Sequence, residues 1–140
     1  MTETRDSARG GWPMISRLDH LVLTVSDPEA SVAFYAKTLQ MEPITFGNGR
    51  RALRFGDQKI NLQRLGEEPR NRAAVGSGDL CLITAWPLDE VRAHLASVGI
   101  VPIEGPVRKH GALGPITSLY FLDPDRNLIE VSTYDAPQGL

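Results

Sequence analysis

Apolar and polar positions alternate between two rhythms along this chain. From Leu18 to Val25, Leu18, Val22 and Thr24 alternate in side with Asp19, Leu21, Leu23 and Val25, and His20 lies within the segment, which reads as a strand buried on both faces for most of its length. Ser26-Asp27-Pro28 ends it: Ser26 or Asp27 can cap a helix, and Pro28 suits the first helical turn. Val32, Phe34, Tyr35 and Leu39 then supply the apolar side of a helix reaching Leu39 or Gln40. Three short strands are predicted next, at about 42–46, 50–55 and 59–64, turning at Gly47-Asn48-Gly49 and Gly56-Asp57.

The same order returns. At an offset of 59 residues His20 falls on Asp79, Pro28 on Pro87, and Glu42-Pro43-Ile44 on Val101-Pro102-Ile103. Leu53, Phe55 and Asp57 lie 66 residues before Leu119, Phe121 and Asp123, and after a longer turn Ile60-Asn61-Leu62 meets Ile129-Glu130-Val131. Such self-similarity marks a duplicated unit. The second copy is predicted as a strand at 79–85, a helix from Leu88 to Val98 stopped by Gly99, and strands at 101–103, 116–122 and 128–133. Polar residues 67–77, rich in Pro and Gly near their ends, read as the linker between modules 15–66 and 78–134. Residues 1–14 read as a flexible arm and 135–140 as a tail. The stretch GPVRKHGALGP reads as a polar loop and candidate lid, and Asp123-Pro124-Asp125 as a turn.

A chain of 140 residues, 41% of them apolar, supports one good core but not two, so the modules are expected to share one domain. Fifteen basic against seventeen acidic residues, with no long basic run, argue against a nucleic-acid surface. Nothing approaches a membrane span or an apolar signal core, and the single cysteine, Cys81, reads as a small buried hydrophobe in a reduced compartment. A cytoplasmic protein is expected. Trp12 and Trp86 are candidates for an edge or partner contact.

Each module places one polar group in its first strand, His20 or Asp79, and one in its last, Asn61 or Glu130. A carboxylate between Ile129 and Val131 is costly to bury unless it is paired or binds a cation. Related by an approximate twofold axis, the four can face one another, and an imidazole, two carboxylates and an amide oxygen are competent for a divalent ion. Arg54, Gln63, Phe46 and Tyr120 are candidates for the wall of the same cavity, and Arg108, Lys109 and His110 for closing over an anionic substrate.

From about Ile15 to Thr133 the chain resembles the vicinal oxygen chelate superfamily, which includes glyoxalase I, extradiol dioxygenases and bleomycin-resistance proteins. The matching stretches are LDHLVLTVSDPEASVAFYAKTLQM, the repeated unit and SLYFLDPDRNLIEV. Through DRNLIEVS and FGDQKINL it is most similar to the glyoxalase-domain-containing protein 5 group. The resemblance implies an α+β fold, with tandem βαβββ modules forming an incomplete eight-stranded barrel-like cup around a metal. By position it makes His20 the first-strand ligand and Glu130 the last-strand ligand. Asn61 stands where some members have glutamate or glutamine, and Asp79 where many have a second histidine. That mixed donor set leaves Mn, Fe, Mg, Ni, Zn and Ca open as the divalent ion. A homodimer is the family's common assembly.

Three functions are weighed. The first is a glyoxalase-like lyase or isomerase acting on a small oxygen-rich metabolite, in which a metal holds two substrate oxygens and Glu130 moves a proton as catalytic base. The alternative is a non-catalytic module that sequesters a metabolite or antibiotic. The third, an iron-dependent dioxygenase, fits the ligand set least.

Overall fold

The computed structural model describes residues 14–135. Its elements run β1(His20–Val25), α1(Pro28–Leu39), β2(Glu42–Phe46), β3(Arg50–Phe55), β4(Gln58–Arg64), β5(Asp79–Ile83), α2(Leu88–Ser97), β6(Glu104–Gly111), β7(Gly114–Leu122) and β8(Leu128–Tyr134). Two four-stranded sheets result, ordered β1-β4-β3-β2 and β5-β8-β7-β6. In each, the first strand lies parallel to the last and the remaining pairs are antiparallel. The sequence repeat is therefore a repeat of βαβββ modules. The sheets are not closed into a true barrel, since no ladder joins one to the other.

Residues alternate across each sheet. Leu23, Val25, Leu53, Ile60 and Leu62 of the first sheet pack with Val32, Phe34 and Tyr35 of α1, and Leu119, Phe121, Ile129 and Val131 of the second pack with Val91 and Leu95 of α2. These side chains form one continuous core, in which Phe34 meets Phe121 at a ring separation of 6.0 Å. Asp27 caps α1 by accepting from the N–H groups of Glu29 and Ala30, with Pro28 opening the helix. Gln40 ends it in the left-handed region. No described helix is long and apolar enough to cross a membrane.

Asp123 does more than make a turn. Its buried carboxylate accepts from Tyr35 Oη at 2.6 Å, from Asn127 Nδ2 at 2.9 Å and from the N–H groups of Asp125 and Asn127. The Ser26 N–H and hydroxyl donate to Asp125. The β7–β8 turn of one module is thus tied to α1 and the end of β1 in the other, which leaves Asp123 no unmet acceptor in the core.

Four expectations change. Residues 101–103 are loop, and the expected lid is strand β6, paired to β7 and turning tightly at Gly111–Gly114. Its polarity misleads because β6 is an edge strand with one exposed face. A bulge between Glu104 and Val107 takes up Gly105-Pro106, and Gly105 has φ +109° where a Cβ would strike the carbonyl oxygen of Ser118. Glu104 pairs with Tyr120 as Glu42 pairs with Arg54, so the second module gains three residues between helix and strand. Strand β1 is buried on both faces only from Leu23 onward, because it too is an edge strand; His20, Leu21 and Val22 are exposed. Cys81 is likewise exposed, on the edge strand β5 and on the face away from the core. Trp86 is partly covered and packs edge-on to His94, while Trp12 lies outside the described residues.

Candidate functional site

Opposite the core, each sheet presents a second face. Strand alternation and register put His20, Val22, Thr24, Lys59, Asn61, Gln63, Ala52 and Arg54 on that face of the first sheet. Asp79, Cys81, Glu130, Ser132, Ser118 and Tyr120 share the corresponding face of the second. Ion pairs agree with the assignment: Glu42 reaches Arg54 on the cup side, while Arg51 reaches Glu29 of α1 on the core side.

The second cup is internally satisfied. Ser118 Oγ donates to Glu130 Oε2 at 2.6 Å, and Ser118 and Ser132 hydroxyls lie 2.6 Å apart. Since each hydroxyl has one proton, Ser132 donates to Ser118 when Ser118 donates to the carboxylate. Cys81 Sγ lies 3.4 Å from Ser132 Oγ at the end of this chain. Burial, and then donation to Glu130, push the Tyr120 phenol up to about 12. Partial desolvation of the sulfur against the sheet, although the residue is exposed as a whole, likewise raises the Cys81 thiol. Glu130 is thereby held in one orientation on a half-buried floor.

The first cup is not satisfied. Asn61 matches Glu130 in the repeat and is only 4% exposed, yet its Oδ1 has no hydrogen-bond partner. The cause is legible in the register. Ala52 occupies the place of Ser118 and Gln63 the place of Ser132, and Gln63 turns its amide to the Glu67 carbonyl at 3.0 Å. His20, at the rim, bonds Asp19 through Nδ1 at 2.9 Å, and that bond lowers the Asp19 pKa.

The other candidates divide. Arg54 is on the cup face and paired with Glu42; Phe46 is there too, at the end of β2. Tyr120 is beside Glu130, and Lys109 Nζ lies 5.7 Å from the Tyr120 ring centroid. Arg108 and His110 alternate onto the opposite side of β6, where Arg108 pairs with Asp135 at 2.6 Å. Lys59 and Arg50, absent from the sequence reading, belong to the first cup; the signal available was their alternation with Ile60 and with Arg51.

Among the described residues no three His, Cys, Asp or Glu side chains gather closely enough to hold a metal. His20 and Asn61 belong to one sheet, Asp79 and Glu130 to the other, and Gly78 packs against Leu23, which sets Asp79 beside the part of β1 farther from His20. The expected ligands His20 and Asn61 thus lie on one sheet and Asp79 and Glu130 on the other, and the described residues of one chain show no cluster of three such side chains around a place for a divalent ion.

Two βαβββ modules with open cups opposite a shared helical core define the fold class of the glyoxalases. Residues 17–131 match the model of the Glyoxalase/Bleomycin resistance protein/Dioxygenase superfamily, and the chain belongs to that superfamily. It is 48% identical over 124 residues to Virulence protein STM3117 of Salmonella typhimurium, covering 86% of each chain. It is 46% identical to the Glyoxalase domain-containing protein RDO1 of Mycosarcoma maydis, covering 86% of this chain and 69% of that one. An integron cassette protein from the mobile metagenome of V. cholerae superposes with a TM-score of 0.83 at 53% identity, covering 89% of this chain and 99% of that one.

Proposed function

We propose that this protein binds and sequesters a small oxygen-rich molecule, a metabolite or an antibiotic, in its cups. One observation carries the reading: the floor of the first cup holds a buried Asn61 Oδ1 without a hydrogen-bond partner. A buried acceptor without a donor costs roughly 1–3 kcal/mol, which a ligand that moves the covering side chains aside and donates to it would recover. The names of the relatives, a virulence protein and an integron cassette protein, state no reaction.

The working unit in this reading is a homodimer. The first cup carries Lys59, Arg50 and Arg54 against Glu42, whereas the second carries Asp79, Glu104 and Glu130 against Lys109. Val22 is 41% and Ile83 55% exposed on the two edge strands, where a second copy would cover them. Opposite charge and exposed apolar edges favour the first cup of one copy facing the second cup of another.

A lyase or isomerase is the second reading, favoured by the fixed orientation of Glu130, which suits a base that accepts a proton from a substrate carbon. Incubating the protein with candidate metabolites and following both binding and consumption separates the two. Retention without consumption, indifferent to chelator, is expected of the sequestering module. Chelator-sensitive consumption abolished by Glu130→Gln would establish the enzyme.

A further inference from the structure

Phe46 carries two cations on one ring. Lys59 Nζ lies 3.9 Å and the Arg50 guanidinium carbon 4.8 Å from its centroid. Arg50 is the cross-strand partner of Phe46. Lys59 starts two strands away on β4, beside His20, so its stem crosses the sheet face that carries Ala52 and Asn61.

Arg17, Arg51, Arg54, Arg64 and Arg108 each have a carboxylate within 4.0 Å; among the described residues Lys59 and Arg50 are two of several cations with none, and they are the two that share one aromatic ring. Asp19 feels the charge of Lys59, yet it is already engaged by His20 and Arg17. An aromatic face offers each cation a modest attraction and leaves their mutual repulsion in place. An anion that draws both cations to itself beside the ring replaces that repulsion by two charge-assisted hydrogen bonds.

We propose that the first cup is a binding site for a small hydroxylated oxyanion, a carboxylate or a phosphate. Lys59 and Arg50 hold its anionic group over Phe46, and a ligand hydroxyl donates to Asn61 Oδ1 once the side chains that cover it in the free chain move aside. The three groups recognise different parts of one molecule: charge at the Phe46 end and a donor at the buried floor. The proposal rests on the binding reading above and adds the ligand's chemical class.

The test titrates the full chain, at fixed ionic strength, with glycerate, glycerol 3-phosphate, inorganic phosphate and glycerol, following backbone amide and arginine side-chain NMR signals. Saturable shifts at Phe46, Arg50 and Asn61 are expected with glycerate or glycerol 3-phosphate, and none with glycerol. The tighter of the two identifies carboxylate or phosphate as the source. Lys59→Met and Arg50→Met should each raise Kd about tenfold or more, the loss of one charge-assisted hydrogen bond. Asn61→Leu should weaken the hydroxylated probes and spare inorganic phosphate, and Arg92→Met on α2 should change nothing. Unperturbed spectra with every anion, or wild-type affinity in both cation variants while their spectra remain those of a folded chain, would overturn the proposal. Chelator-sensitive consumption would instead displace the sequestering reading and leave this anion site standing, so the two failures are distinguishable.

Discussion

Asn61 and Glu130 occupy the same position of the repeated module with opposite outcomes. The Glu130 carboxylate is met by a serine hydroxyl at 2.6 Å, whereas the Asn61 amide oxygen is buried with no donor, because Ala52 stands where Ser118 stands in the second sheet. Divergence after duplication thus left the acceptor of one cup met within its own sheet and that of the other without a donor.

That asymmetry predicts opposite responses to substitution. Asn61→Leu should leave stability unchanged or raise it by about 1 kcal/mol, since it removes an unsatisfied buried acceptor. Ser118→Ala should cost about 1–3 kcal/mol by stripping a donor from Glu130. Urea denaturation of both variants checks the pair; a clear loss of stability in Asn61→Leu would mean that the amide has a partner.

Tyr35 ties the helix of one module to the turn of the other. Tyr35→Phe should cost about 1–3 kcal/mol, since Asp123 keeps its remaining donors but loses a 2.6 Å hydrogen bond in the core. Denaturation midpoints of the variant and its parent measure the difference.

Alkaline pH should weaken the fold through the same residue. Burial, and then the hydrogen bond to Asp123, raise the Tyr35 phenol above its ordinary value, and Tyr120 is raised to about 12. Between about pH 10 and 12 the unfolded chain releases phenolic protons that the native chain retains. Stability should be flat in these groups below about pH 10 and fall as pH rises through that window. Urea midpoints at pH 8.5 and 10.5 should show a drop that shrinks in Tyr35→Phe.

Gly105→Ala should be strongly destabilising. Its φ of +109° disfavours any side chain, and the added methyl would press on the backbone of Ser118, the residue that positions Glu130. Thermal melts should show a lower Tm than for Gly99→Ala, where φ is also positive but the space is open.

The architecture was readable because duplication wrote it twice: the offsets that align His20 with Asp79 and Asn61 with Glu130 are the offsets of the two sheets. Strand β6 was misplaced because an edge strand need not alternate cleanly, and VRKHG has the polarity of a loop. The exposure of Cys81, Leu21 and Val22 was hidden for a related reason. Apolar runs report strand formation, but only the sheet order shows that β1 and β5 are edges. Ligation by His20, Asn61, Asp79 and Glu130 depends on how the sheets face one another, which no spacing within the chain encodes. The cations at Phe46 were missed because Lys59 reaches across two strands.

Equilibrium dialysis of the purified chain against a defined mixture of small hydroxy acids and phosphorylated hydroxy compounds, with and without EDTA, tests the central claim most directly. Mass spectrometry of both compartments would quantify every compound. A sequestering cup predicts that at least one compound is retained on the protein side, equally with EDTA, and recovered in full. Depletion of a compound with a new product, blocked by EDTA, or no retention at all, would contradict it.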